Sequence, residues 1–159
     1  MPRTDATATP STVAPAEMAA RLRLSSTRLH RQLRREAGVA LTPSQISALA
    51  AIDNYGPLTL GALADHEGVA PPSITKVLAI LEEDGFVVRT QDATDRRVSY
   101  VAVTPKGSAL VAESRRRKTA WLSGRIRELT PDQRGRLADA LDVLDALAQK
   151  DPAQKDPSS

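Results

Sequence analysis

The sequence predicts a mostly helical α+β chain with the element order α-α-α-α-β-β-α-α. Three observations carry this expectation. Apolar residues recur at helical spacing, as in Met18, Leu22, Leu29 and Leu33. Thr-Pro pairs at 42–43, 104–105 and 130–131 read as helix starts. Threonine caps a helix, and proline at the first helical position lacks only an N–H that would have no partner there. Finally, residues 86–103 switch to β-branched and aromatic residues around a polar turn.

The elements follow in order. The first helix spans about 16–36 and ends before Gly38. The second opens on Thr42-Pro43-Ser44-Gln45, where Gln45 can reach back as in a capping box, and ends at Tyr55-Gly56-Pro57. A short third helix covers about 60–67, and a fourth covers about 71–84 and stops at Gly85. Phe86-Val87-Val88-Arg89 and Val98 to Val103 then form a β-hairpin around a loop at 90–97. A long fifth helix runs from Thr104-Pro105 to about 127. Thr130-Pro131-Asp132-Gln133 repeats the capping signature, and the last helix, 131–148, carries Leu137, Leu141, Leu144 and Leu147 on one stripe. Residues 1–15 and 149–159, rich in Thr, Ala, Pro and Ser or repeating Gln-Lys-Asp-Pro, are expected to be disordered tails around a working domain at 16–148.

Composition narrows the function. The 159 residues suit one domain. They include no cysteine, which excludes disulfides, thiolate metal sites, a cysteine nucleophile and a thiol redox sensor. No apolar run approaches the roughly 20 residues of a membrane span, and the N-terminal stretch lacks a signal-peptide core, so a cytoplasmic protein without membrane contact is expected. The two histidines, His30 and His66, have no third partner within sequence reach, and no phosphate loop, G-x-S-x-G or zinc spacing is present. The expectation is a protein that is not an enzyme and holds no cofactor or metal.

The net charge of +3 is unevenly spread. Residues 21–36 hold six arginines against one acid, and 89–118 hold eight basic residues against three acids, so each block is +5. Between them, 53–84 sets six acids against Lys76, and 128–159 sets seven acids against four basic residues. Arginine blocks suit phosphate recognition because guanidinium is planar and always charged.

The third and fourth helices have helix-turn-helix spacing. Ala64 supplies the small residue at the crossing, and Gly68 supplies a turn residue tolerant of positive φ. Ile74, Val77, Leu78 and Leu81 form the buried stripe of the second helix. Removing that stripe leaves Ser73, Thr75 and Lys76 outside, near the N-terminus of a helix that can meet base edges and phosphates. The hairpin loop then offers Asp95-Arg96-Arg97. At this distance after a recognition helix the loop reads as the wing of a winged helix-turn-helix, reaching into a minor groove whose negative potential favours arginine.

In this element order, the helix-turn-helix at 60–84 and the phrase from Asp95-Arg96-Arg97 to Thr104 resemble the MarR family of bacterial regulators over residues 20–148. The resemblance implies a winged helix-turn-helix at about 43–104 and dimerisation helices at about 16–36 and 105–148. It implies a homodimer on double-stranded DNA, acting as a ligand-responsive repressor at a pseudo-palindromic operator. Ser73, Thr75 and Lys76 match the family's major-groove positions. Arg97 would enter the minor groove, Asp95 would brace it, and Arg96 would touch phosphate. A small aromatic or phenolic acid is the implied effector. Trp121, in the middle of the fifth helix, reads as dimer core, with the wall of an effector pocket as the alternative. Pro71-Pro72 departs from the family pattern and removes two backbone donors from the recognition helix. The competing reading is a helical dimerisation or adaptor protein that never touches DNA, and a salt-dependent shift on random duplex separates the two.

Overall fold

The computed structural model describes residues 13–92, 95 and 98–149. Residues 1–12 and 150–159, expected above to be tails, lie outside the described residues, as do Arg96 and Arg97. The elements are α1 (Pro15–Glu36), α2 (Pro43–Tyr55), β1 (Leu58–Thr59), α3 (Leu60–Glu67), α4 (Pro71–Glu83), β2 (Val87–Gln91), β3 (Ser99–Val103), α5 (Pro105–Arg127) and α6 (Pro131–Ala148). They fall into two units, Met1–Lys118 and Thr119–Ser159, and α5 runs across the boundary.

The helix starts follow the Thr-Pro signals. Thr42 Oγ1 accepts from the Gln45 N–H at 3.3 Å, and the Gln45 side chain accepts from the Thr42 N–H at 2.7 Å. Thr130 and Gln133 repeat this reciprocal box at the start of α6, at 3.2 and 2.9 Å. Each box satisfies two amide donors that a helix start leaves open. α1 begins at Pro15, one residue inside the expected tail, and has no side-chain cap.

The sheet departs from the expected hairpin in two ways. β1, two residues long, adds a third strand on the far side of β3, so the order is β1-β3-β2. It pairs Leu58 with Val101 and Thr59 with Tyr100. So short a segment has no periodicity to read, and Thr59 also caps α3 by accepting from the Ala62 N–H at 3.2 Å. β2 also runs two residues past Arg89, because Thr90 and Gln91 continue the ladder opposite Tyr100 and Ser99.

In the first unit the core gathers Leu49 and Ile52 of α2, Leu63 and Ala64 of α3, and Ile74, Leu78 and Leu81 of α4. Val87, Val101 and Val111 join it from β2, β3 and α5. Each of these Leu, Ile and Val side chains contributes roughly 1.5–3 kcal/mol of burial. Ala64 is buried on the core side of α3, and Gly68 closes α3 in the left-handed region at φ 65°. That backbone conformation costs other residues strain. Val77 is partly buried against the core rather than within it.

A knot of contacts joins the hairpin to α5. The Thr104 N–H donates to the Phe86 carbonyl at 3.0 Å. Its hydroxyl donates to the Gly85 carbonyl at 2.7 Å and accepts from the Gly107 N–H at 3.1 Å. Lys106 reaches the Asp84 carbonyl at 2.6 Å with its ammonium 4.7 Å above the Phe86 ring. Gly107 is buried, and a Cβ there falls on the Phe86 carbonyl oxygen and 2.9 Å from Val103 Cγ2. The backbone on both sides is held, so Gly107→Ala is expected to destabilise by roughly 1–3 kcal/mol despite alanine's better helix propensity. Urea unfolding monitored by circular dichroism measures this, and an unchanged or higher midpoint contradicts the close-approach account.

Candidate nucleic-acid interface

The helix-turn-helix has one face free. Packing of Ile74, Leu78 and Leu81 inward turns the opposite side of α4 to solvent, and Ser73, Thr75 and Lys76 are all exposed there. They do not share one direction. At about 100° per residue, Ser73 and Lys76 lie about 60° apart around the axis, while Thr75 lies about 160° from Ser73. The Thr75 hydroxyl also donates to the Pro71 carbonyl at 2.9 Å, one turn back within its own helix. Ser73 and Lys76 therefore share one flank of the outer face, and Thr75 lies on the other flank, as far from Ile74 as Ser73 is. Helical geometry applied to the sequence is enough to make this distinction.

The first turn of α4 is poor in donors. Ala70 is its N-cap without a side-chain hydrogen bond, and prolines occupy the next two positions. The helix starts through the Ser73 N–H, which donates to the Ala70 carbonyl at 2.9 Å.

Hydrogen bonds brace the base of the hairpin loop. The Asp92 N–H donates to the Val98 carbonyl, and the Val98 N–H donates to the Asp95 carbonyl, both at 2.9 Å. The Asp92 carboxylate accepts from the Asp95 N–H at 3.0 Å. Asp92 thus shapes the turn, a role the sequence reading did not assign; the signal was an Asp three residues before another turn residue. Asp95 is exposed at this loop. Arg96 and Arg97 fall outside the described residues, so their expected contacts have no geometry here.

A second feature lies in the first unit, between α1, α2 and α5. A cavity of about 230 Å³ has an apolar floor of Ile46, Ala50 and Val111. His30, Arg34, Arg115 and Lys118 stand around it. Ser114, also in its wall, is buried, and its hydroxyl has no hydrogen-bond partner among the described residues. Such an orphaned group costs about 1–3 kcal/mol unless something meets it. Among the described residues Arg34 and Lys118 form no ion pair. Arg115 does: its guanidinium lies 3.4 Å from the Asp53 carboxylate and 2.6 Å from Asn54 Oδ1, at the end of α2. The neighbouring arginines face elsewhere. Arg117 and Arg116 both hydrogen-bond Glu113 and hold its carboxyl below the ordinary glutamate range. Sequence reasoning weighed His30 only as a lone histidine and did not group these residues, because the cavity needs α5, some 60 residues on, to close against α1 and α2.

His66 lies exposed with its ring 4.8 Å from that of Tyr55, and its Nδ1 is 3.3 Å from Glu67. No cluster of metal-ligating side chains occurs among the described residues. No described helix is long and apolar enough to cross a membrane.

Comparison with known proteins places this geometry. Residues 41–99, from the α2 cap into β3, match the MarR family. The chain is 41% identical over 138 residues to an HTH-type transcriptional regulator of Mycobacterium tuberculosis, covering 86% of this chain and 96% of that one. It is 26% identical over 114 residues to the HTH-type transcriptional repressor MdtR of Bacillus subtilis, covering 72% and 74% of the two chains. Among solved structures, a transcriptional regulator from Pseudomonas aeruginosa is similar with a TM-score of 0.76 and 32% identity, covering 86% of this chain and 96% of that one. With the helix-turn-helix and its hairpin both in place, the chain belongs to the MarR family of winged helix-turn-helix, DNA-binding transcriptional regulators.

Proposed function

We propose that this regulator is a cytoplasmic homodimeric repressor that binds a pseudo-palindromic operator and releases it when a small aromatic or phenolic acid binds. The observation that carries the DNA-binding half is the outer face of α4. It holds Ser73 and Lys76 free while the opposite stripe is committed to the core. In this reading Ser73 and Lys76 meet base edges in the major groove, with Thr75 at the margin. Arg97 enters the minor groove, Asp95 positions it, and Arg96 contacts phosphate. Residues 53–84 are net acidic, so affinity comes from the loop arginines and the arginine-rich helices rather than from α4. The similarity to MdtR, named as a repressor, supports the sign of regulation.

Exposed apolar surface supports the dimer. α1 leaves Met18, Leu22, Leu24 and Leu29 exposed, and α6 leaves Leu141, Val143 and Leu147 exposed. Neither helix buries a single residue in the lone chain. Faces of this kind are normally covered. A two-fold partner using α1, α5 and α6 covers them, and symmetry then sets the two α4 helices about 34 Å apart, one DNA turn. Trp121 joins that dimer core.

The cavity supports the sensing half. Uncompensated Arg34 and Lys118 beside an apolar floor suit a flat ring bearing a carboxylate, and Ser114 supplies a donor for it. Arg115 connects the site to the DNA-binding elements. It holds the end of α2 through Asp53 and Asn54, a few residues before β1 and α3. An anion that draws Arg115 inward loosens this clamp.

Three outcomes are expected. In sedimentation at micromolar concentration the protein runs as a dimer, and a monomer contradicts the assembly. Arg97→Ala weakens binding to operator and to random duplex alike and lowers the salt slope by about one, whereas Lys76→Ala or Ser73→Ala narrows the gap between the two duplexes. Isotherms at three salt concentrations separate these, and an Arg97→Ala protein with unchanged affinity and slope means that the loop is not a wing. Asn54→Ala combined with Asp53→Asn frees Arg115, so 2-hydroxybenzoate binds at least as tightly by calorimetry while operator affinity falls before any ligand is added. Unchanged operator affinity in this variant removes the clamp, and no heat with any aromatic acid in a broad panel removes the effector.

A further inference from the structure

The outer face of α4 carries an apolar side chain where a base reader would stand. Ile80 is 44% exposed and belongs to no part of the core. Around the helix axis it lies about 20° from Ser73 and about 40° from Lys76, so it points the way those two point, one turn further along. Pro72 and Ala79, both exposed, flank the same face. The polar readers on it are few. The first turn has lost two amide donors to proline, and the Thr75 hydroxyl donates within its own helix. Hydrogen-bond readout from the first two turns of α4 therefore rests on Ser73 and Lys76. Pro72, Ala79 and Ile80 add hydrocarbon to this face, which also carries Glu83, exposed in the last turn.

One feature of the major groove answers to hydrocarbon. Thymine presents a C5-methyl group there, and no other base does. We infer that α4 reads thymine methyl groups through the strip of Ile80, Pro72 and Ala79, with Ile80 the main specificity-determining residue, so that each operator half-site carries thymine beneath it. This rests on the proposed insertion of α4 into the major groove and adds what the helix recognises. It also explains how a recognition helix with two prolines and one cation can discriminate: removing a methyl group and an isoleucine from water needs no donor.

The test uses the full-length protein and an operator obtained by selection from random duplex. Within that operator each thymine is replaced in turn by 2′-deoxyuridine, which keeps every pairing hydrogen bond and loses only the methyl. Burial of one methyl contributes about 0.8 kcal/mol, so affinity falls about fourfold at the thymines under Ile80 and is unchanged elsewhere. Ile80→Ala truncates a side chain that lies outside the core, with the fold checked by melting in parallel; it weakens operator binding by a similar or larger factor and becomes indifferent to uracil at those positions. That non-additivity in the protein–DNA cycle marks a direct contact. Equal uracil effects in wild type and Ile80→Ala overturn the assignment, as does the absence of any uracil effect in an operator that is otherwise bound specifically. If selection returns no operator at all, the proposed sequence-specific binding fails and this inference fails with it.

Discussion

The burial of one stripe of α4 is the constraint on which the rest depends. Ile74, Leu78 and Leu81 are locked against α2 and α3, in a core that Leu49, Ile52 and Leu63 complete. A 13-residue helix cannot rotate about its axis without exposing that stripe, and each exposed side chain costs roughly 1.5–3 kcal/mol. The face left outward is therefore fixed by packing rather than by anything it touches. Ser73, Lys76 and Ile80 owe their common direction to residues that never meet solvent. The small buried Ala64 and the left-handed glycine after α3 serve the same end, because they set how α3 packs and where it ends.

The hairpin is tied to this rigid body at its root. Thr104 satisfies the backbone at the end of β3, bonds back to the Gly85 and Phe86 carbonyls, and caps α5. One residue thus links the C-terminal end of α4, both strands of the hairpin and the next helix. Where the loop leaves β2, the Asp92 carboxylate accepts from the Asp95 N–H. Charge is divided among these parts. The helix-turn-helix segment is acidic and the flanking segments are basic. Recognition and attraction are thus assigned to different surfaces, and specificity can be set by contacts that add little to long-range electrostatic pull.

Much of this was legible in the sequence where the signal is local. Thr42 with Gln45 and Thr130 with Gln133 announce helix starts through hydrogen bonds three residues apart. Ala64 and Gly68 announce the turn, and the apolar spacing of α4 gives its buried side. What escaped was non-local or too short. β1 is two residues long and exists because β3 offers it a partner some 40 residues away. The cavity draws its cations from α1 and α5, and the Arg115 clamp spans 62 positions. Neither leaves a pattern in the chain. Thr75 is a different case: its placement apart from Ser73 follows from helical geometry, and residue type alone hid it. The close approach of Gly107 to the Phe86 carbonyl was likewise invisible, since a glycine one turn into a helix reads only as a poor helix former.

The central claim is that the face set by the core is the face that meets DNA. The chain contains no cysteine, so a single thiol can be placed on that face without removing another. Lys76→Cys, conjugated to an iron chelate that cleaves DNA locally, provides the measurement, with cleavage mapped along a selected operator duplex. The account predicts two clusters of major-groove cleavage, related by the operator's two-fold axis and about one helical turn apart. Uniform or absent cleavage from this position, in a conjugate that still retards the duplex, would place some other surface against the DNA and contradict the account.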